Sequence, residues 1–182
     1  GSHFEFDENV KITKKVVSLA RKKGISVEAE LGTIGGAEES VVARKIIYTE
    51  PLSAKKFVEQ TGIDALAIAI GTSHGAFKFA GKPNLDIKRL KEIKKLTKIP
   101  LVLHGASCVP RQLVKRAEKF GAKISGAEGV PDFQVRAAIK NGINKVNTDT
   151  DLRLAFAESV RETLFKRKSE FDPRRILGPA RD

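Results

Sequence analysis

The stretch Ile63–Gly71, with the sequence IDALAIAIG, decides the fold class of this chain. It is a short, continuous apolar run, which is typical of a strand buried on both faces of a parallel sheet. A second apolar run, PLVLHG at residues 100–105, follows a stretch of helical periodicity at Leu85–Leu96. The order strand, helix, strand predicts a βαβ unit with parallel strands and a right-handed crossover.

The same alternation continues on both sides of this unit and predicts an α/β fold. Four strands are expected, at Ser26–Glu30, Ala65–Ile70, Leu101–Leu103 and Lys145–Asn147. Helical patterns surround them, at residues 9–24, 53–60, 85–96, 110–120, 131–141 and 151–167. The pattern contains no separate second domain, so we expect residues 1–182 to form a single domain. Four strands are half of a (β/α)8 TIM barrel, which typically needs about 250 residues.

Composition narrows the class of partner. Basic residues outnumber acidic ones by 34 to 22, and the resulting net charge of +12 favours anionic partners such as phosphorylated metabolites. The lysines fall mostly on helix faces and aromatic residues make up only 6% of the chain, so we expect no nucleic-acid partner. No apolar run approaches the roughly 20 residues that cross a membrane, and no secretory signal is present, so no membrane partner is expected. The single cysteine, Cys108, fits a reducing cytoplasm, and the Lys- and Glu-rich, Met-free composition favours a thermophile.

Two of the three histidines, His74 and His104, follow the two apolar runs within a few residues. Residues just past the carboxyl ends of parallel strands lie at one end of the sheet, where α/β folds keep their chemistry. Imidazole is a common zinc ligand, and a catalytic zinc site uses about three protein ligands. We therefore expect the two imidazoles to converge on a metal. The alternative is that each histidine only forms a hydrogen bond within its loop.

A pair of carboxylates lies near the end of the first predicted strand. Glu28 and Glu30 are two residues apart in SVEAELG and therefore share one face of the strand. One or both are expected to approach the metal or a substrate hydroxyl. For Glu28, an ion pair with a neighbouring lysine is an equal alternative.

Small and polar residues follow the last three predicted strands in a pattern that favours phosphate binding. Gly75 and Gly105 each follow a histidine and permit close backbone approach to a ligand. The remaining candidates precede predicted helices, where amides and hydroxyls bind phosphate, and they are Ser107, Asn147, Asp149 and Thr150. Barrel enzymes frequently hold phosphate with the loops after strands seven and eight, which these segments would be if the four strands are the last four. Simple N-capping by Ser107 or Asp149 is the competing explanation.

Four segments in register carry a family resemblance: VEAELGTIGGAEE, AIAIGTSHGAF, PLVLHGAS and KVNTDTDLRLAF. In this order and at these intervals they resemble the class II, metal-dependent fructose-bisphosphate aldolases and their tagatose-bisphosphate relatives. The resemblance implies a TIM barrel of which this chain supplies about the last four strands and their helices. It also implies zinc-dependent, reversible cleavage of fructose 1,6-bisphosphate to dihydroxyacetone phosphate and glyceraldehyde 3-phosphate in glycolysis and gluconeogenesis, by a dimer or tetramer.

The resemblance also implies roles for individual residues. His74 and His104 match two of the family's three zinc-binding histidines, and Glu30 matches a carboxylate that holds the metal in an alternative position. Glu38 matches the acidic residue implicated in proton transfer. The region that holds dihydroxyacetone phosphate is matched by Gly75, Gly105, Ser107, Asn147, Asp149 and Thr150. Family members also bind a monovalent cation near the loop after His74, and a second divalent site is compatible with the pattern.

One family motif is missing. The third zinc histidine and the catalytic aspartate of the family lie together in a motif like LDHG, which does not occur here, and His3 matches a different strand. We therefore expect this chain to be the C-terminal part of an aldolase, whose activity requires the N-terminal half in the same molecule or a companion piece. The alternatives are a tagatose-bisphosphate aldolase, a metal-independent phosphate-binding barrel enzyme, and a noncatalytic phosphate-ligand or nucleic-acid binding protein.

Overall fold

The structure is a computed structural model that describes residues 1–33, 35–38, 41–43, 47–74, 84–124 and 126–182. The side chains of residues 35–38, 41–43, 73 and 74 lie outside that description. The elements follow in chain order as α1 (Phe6–Arg21), β1 (Glu28–Leu31), β2 (Gly35–Glu38), β3 (Val41–Ala43), α2 (Pro51–Thr61), β4 (Ala65–Ile68), β5 (Ser73–His74), α3 (Ile87–Thr97), β6 (Leu101–Leu103), α4 (Arg111–Lys119), α5 (Asp132–Lys140), β7 (Ile143–Val146), α6 (Thr150–Lys166) and α7 (Pro173–Arg181).

The main sheet has four parallel strands in the order β1-β4-β6-β7, joined by helices. The predicted βα alternation is therefore confirmed, with shifted strand ends. β1 begins at Glu28 rather than Ser26, because the backbone amide of Val27 donates a hydrogen bond to the side-chain carboxylate of Asp64. β7 covers Ile143–Val146 rather than Lys145–Asn147, because its ladder starts where buried Ile143 pairs with β6.

The two faces of this sheet differ in chemistry. One face packs against the helices and forms the main hydrophobic core, with Leu66, Ile68, Ile70, Leu101 and Leu103 among its fully buried members. Removing such side chains from water is the dominant stabilising contribution, about 25 cal/mol per Å² of apolar surface. On the other face, a row of paired residues crosses the sheet: Glu30, Ala67, Val102 and Lys145. This second face therefore carries charged groups separated by small apolar ones.

A second, three-stranded sheet has the order β3-β2-β5. The sequence predicts a polar loop over residues 32–45, and this prediction is wrong for the two segments that form β2 and β3. The β-branched pair Val41 and Val42 favours an extended strand, and β3 pairs antiparallel with β2. On its other side β2 pairs parallel with β5, with Gly36 opposite His74. The segments that follow β1 and β4 are thus joined by backbone hydrogen bonds.

The C-terminal tail contains a helix that the sequence pattern does not predict. α7 begins after Asp172, whose side chain accepts the amide of Arg174, and Pro173 occupies the first turn. Both features are common helix-start signals, but the short apolar pattern of the tail obscures them. Among the described residues, none of the helices combines the length and apolar character that crossing a bilayer would require.

Candidate active site

His104 lies one residue past β6 and contacts both carboxylates of β1. Its Nδ1 is 2.8 Å from Oε2 of Glu30, and its Nε2 is 2.9 Å from Oε1 of Glu28. β4 lies between these strands and places Ala65 and Ala67 in register with the two glutamates. The small alanine side chains leave the room that lets an imidazole reach across the intervening strand.

The two glutamates differ in their other partners. Glu30 accepts a hydrogen bond from the Ser2 hydroxyl at 2.7 Å, and its backbone carbonyl accepts one from the Asn9 amide group at 3.0 Å. Glu28 forms an ion pair with Lys145, with 2.6 Å between Oε2 and Nζ. The expected lysine pair of Glu28 is thus present, and it coexists with the contact to His104.

Sequence reasoning missed Asn9. It is a buried polar residue on the core-facing side of α1, where its side chain also accepts a hydrogen bond from Thr13. A pair of polar residues four apart on an otherwise apolar helix face is the sequence signal for buried hydrogen bonding of this kind, which here holds the backbone carbonyl of Glu30.

Charges in this cluster shift two pKa values. The hydrogen bond with Glu30 raises the pKa of His104 above its ordinary value of 6.5; burial opposes this shift, and Glu28 adds to it. Burial raises the pKa of Glu28, but Lys145 and His104 outweigh burial and hold that pKa below its ordinary value of 4.5. The arrangement therefore favours an imidazolium that donates to two carboxylates in the absence of metal.

The donor types of this cluster fit a borderline divalent cation, since imidazole nitrogen and carboxylate oxygen are both zinc ligands. Within the described ranges, however, no three His, Cys, Asp or Glu side chains are arranged around one point. Glu28 and Glu30 contact opposite ring nitrogens of His104. A metal can replace one carboxylate on the ring while the other stays as the outer partner that orients the imidazole.

The predicted convergence of His74 with His104 is untested, because the His74 side chain lies outside the described residues. Its backbone lies in β5, paired with β2, whose last residue is Glu38. The Glu38 side chain also lies outside the description, as does all of Gly75.

The second part of the site joins the loop after β6 to the start of α6. The Ser107 hydroxyl accepts the amides of Asp149 and Thr150, both at 3.1 Å. The Ala106 amide donates to the carbonyl of Asn147 at 3.3 Å. The structure therefore brings the loops after the last two strands together, as the barrel topology predicts. Gly105 turns between the two parts of the site with φ +60°, a conformation that favours glycine.

N-capping occurs, but not at the helix that the sequence indicates. Ser107 precedes α4 in the chain, yet its hydroxyl satisfies amides at the start of α6. Asp149 occupies the N-cap position of α6 without a side-chain capping bond, because its carboxylate pairs with Arg153 instead. Tertiary packing places the serine against a helix that is remote in sequence.

A carboxylate that sequence reasoning missed completes this junction. Asp151, in the first turn of α6, accepts the amide of Cys108 at 2.9 Å and that of Val109 at 2.7 Å. No local pattern predicts these contacts, because the partners are more than 40 residues apart.

Comparison with known proteins identifies the family. The sequence model described as "Fructose-bisphosphate aldolase class-II" matches residues 1–182. The chain belongs to the class II fructose-bisphosphate aldolase family. The fructose-bisphosphate aldolase of Thermus caldophilus is 52% identical over 183 residues, which cover all of this chain and 60% of that protein. That of Giardia intestinalis is 51% identical over 183 residues, and the match covers 56% of its length.

Solved structures agree on the fold. The crystal structure of the YdjI aldolase from Escherichia coli K12 is similar to all of this chain with a TM-score of 0.70 and 31% identity, and the match covers 53% of that structure. This chain therefore spans between half and two thirds of the length of the relatives it matches. The predictions of family membership and of about the last four strands of a TIM barrel are confirmed.

Proposed function

We propose that this chain supplies the C-terminal half of a class II aldolase that reversibly cleaves fructose 1,6-bisphosphate to dihydroxyacetone phosphate and glyceraldehyde 3-phosphate. The observation that carries the proposal is the spacing of two binding regions. The carboxylate-imidazole cluster at His104 lies three residues from Ser107, which joins the loop after β6 to α6. A metal and a phosphate ester held at these two points would share one small substrate.

We infer that the metal is zinc, with His104 and His74 as ligands and Glu30 as the alternative carboxylate ligand. When bound, zinc supplies Lewis-acid polarisation of the substrate ketone. The contacts of His104 support this role, because one ring nitrogen can bind a metal while a carboxylate holds the other. Lys145 neutralises Glu28 on the side away from the imidazole and so keeps that carboxylate in place.

For the phosphate of dihydroxyacetone phosphate, we propose a site formed by Gly75, Gly105, Ser107, Asn147, Asp149 and Thr150. The Ser107 oxygen already accepts two amides, so the group it offers an anion is its own hydrogen. Amides that donate to a hydroxyl strengthen it as a donor, because hydrogen bonds in a chain polarise one another. The N-terminus of α6 adds a partial positive charge beside the anion.

We assign Glu38 to proton transfer during cleavage and condensation. Its position in β2 supports this role, because β2 pairs with the strand that carries His74. The family's catalytic aspartate and third zinc histidine have no counterpart in this chain, so the complete reaction needs a partner segment that carries them. We further propose a single domain within a dimeric or tetrameric assembly, a bound monovalent cation near the segment after His74, and a glycolytic role in the cytoplasm of a thermophile.

The proposal is tested by joining the part of the Thermus caldophilus aldolase outside the match to this chain, which restores the missing motif. We expect this chimera to release triose phosphates from fructose 1,6-bisphosphate, and we expect EDTA to abolish turnover and zinc to restore it. Turnover that persists in EDTA would reject the metal mechanism. The chimera is also assayed with tagatose 1,6-bisphosphate. A chimera that folds and binds zinc but cleaves neither bisphosphate would reject the aldolase proposal. Preferential cleavage of tagatose 1,6-bisphosphate would favour the tagatose-bisphosphate aldolase alternative.

The chain alone, assayed in parallel, provides the control. It lacks the family's general base, so we expect no turnover from it even with zinc. Activity from the chain alone would show that the aspartate is dispensable.

A further inference from the structure

The junction between the loop after β6 and α6 is held by reciprocal contacts. The loop gives a side chain to the helix, since the Ser107 hydroxyl accepts two amides of α6. The helix gives a side chain to the loop, since the Asp151 carboxylate accepts the amides of Cys108 and Val109. Each side therefore fixes the backbone of the other.

The loop needs this support because its backbone is strained. Val109 has φ +49°, a left-handed conformation that a β-branched residue rarely adopts, and its side chain is almost fully buried. Its amide donates to Asp151 Oδ1 at 2.7 Å, a short hydrogen bond to a charged acceptor. Without that acceptor, we expect Val109 to relax to negative φ and to displace Ser107, two residues earlier.

A third contact limits how the loop can move. The Ser107 carbonyl accepts the amide of Val130 at 3.0 Å, and a Cβ on Gly129 would lie 2.2 Å from that carbonyl oxygen. The loop is thus packed against backbone on one side. On the other side it is held by Asp151.

We propose that Asp151 is a positioning residue for phosphate binding: it holds Val109 in the left-handed conformation and so keeps the Ser107 hydroxyl aimed at a phosphate ester. This inference rests on the proposed function, in which Ser107 donates to the phosphate of the three-carbon substrate. A purely structural role, in which an acidic residue stabilises the first turn of α6, would leave the loop conformation unchanged.

The first test compares Asp151→Asn with Asp132→Asn in the chimera. Asparagine keeps the shape of the side chain but places an NH₂ group against one backbone amide, so one of the two hydrogen bonds is lost. We expect KM for fructose 1,6-bisphosphate to rise about tenfold with kcat changed far less, the loss expected for one hydrogen bond to a charged group. Asp132, an exposed residue of α5 that pairs with Arg136, controls for the lost charge and should leave KM unchanged. An unchanged KM in Asp151→Asn would overturn the proposal.

The second test examines whether backbone strain at Val109 connects Asp151 to phosphate binding by Ser107. In the Asp151→Asn background, Val109→Gly and Val109→Ala both remove packing, but only glycine accepts φ +49° without cost. We expect Val109→Gly to recover a lower KM than Val109→Ala. Equal KM values for the two double variants would overturn the positioning role, because a helix-stabilising role does not depend on the φ of Val109.

A measurement without turnover separates this inference from the proposed function. Inorganic phosphate is titrated into the chimera, and the NMR amide signals of the Ser107 loop and the start of α6 are followed. We expect them to shift in the wild type and to need about tenfold more phosphate in Asp151→Asn. If the folded chimera is inactive while this difference holds, the aldolase proposal fails and the positioning role stands. Equal phosphate affinity in the two proteins would overturn the positioning role even in an active enzyme.

Discussion

The cluster around His104 and the junction around Ser107 lie at the same end of the sheet but are held by different forces. Side-chain charges hold the His104 cluster, where two carboxylates, an imidazole and an ammonium group meet. Backbone amides hold the Ser107 junction, where four N–H groups donate to one hydroxyl and one carboxylate. If the first region binds a metal as proposed, a carboxylate has to leave the imidazole, whereas the contacts of the second region are already formed.

The largest expected effect is a loss of zinc affinity that leaves phosphate binding at the Ser107 junction unchanged. His104→Ala in the chimera removes the proposed metal ligand, so we expect zinc affinity to fall by more than the roughly 10–100-fold that loss of an outer partner costs. Because the Ser107 junction does not depend on His104 charges, phosphate titration of the same variant should be unchanged. Zinc content after dialysis and the NMR titration check the two halves of this prediction. Retained zinc and activity would show that His104 is not a ligand.

The next largest effect is expected from a substitution that disrupts the Ser107 junction and leaves the His104 cluster unchanged. Gly129→Ala places a Cβ 2.2 Å from the Ser107 carbonyl oxygen and 2.5 Å from the Cys108 carbonyl carbon, both rigid backbone atoms. We expect the free energy of unfolding to fall by about 3 kcal/mol, measured by urea denaturation. Gly178→Ala is the matched control, since a Cβ there meets open space, and its effect should stay within about 1 kcal/mol. Similar stabilities for the two variants would show that the loop can yield.

A smaller effect tests the role of Glu28 in the His104 cluster. Glu28→Gln removes the carboxylate that lies on Nε2 of His104, and we expect zinc affinity to fall by about 10-fold or more if Glu28 is the outer partner. Glu59→Gln, which removes an exposed carboxylate paired with Lys55, should leave zinc affinity unchanged. If Glu28→Gln strengthens zinc binding instead, Glu28 competes with the metal for the ring and does not orient it.

The smallest effect is a pH dependence confined to the His104 cluster. The pKa of His104 is raised above 6.5 in the folded chain, so its contribution to stability is fully present below 6.5 and is lost as pH rises through the folded value. In EDTA, the free energy of unfolding should therefore decrease as pH rises above 6.5. His104→Gln should flatten this dependence in urea titrations between about pH 6 and 9. An equal slope in both proteins would mean that another group is responsible.

Local patterns were sufficient for much of the fold and for part of the site. The apolar run at Ala65–Ile70 predicts a buried parallel strand because it is too short for a typical helix and its consecutive apolar residues suit a strand that is buried on both faces. The two-residue spacing of Glu28 and Glu30 predicts a common face, and both do contact His104. Periodicity failed where pairing depends on distant segments, as in β2, which pairs parallel with β5 beyond α2 and β4 in the chain.

The sequence by itself determined the alternation of strands and helices, the end of the sheet where polar residues gather, and the family, because these depend on periodicity and residue order. Tertiary structure alone decided which groups meet. It placed Glu28 and Glu30 on opposite nitrogens of one imidazole, set Ser107 against α6 rather than α4, and brought Asp151 to a strained loop. The physical reason is that hydrogen bonds between segments more than 40 residues apart depend on packing of the whole sheet and its helices, which no local pattern records.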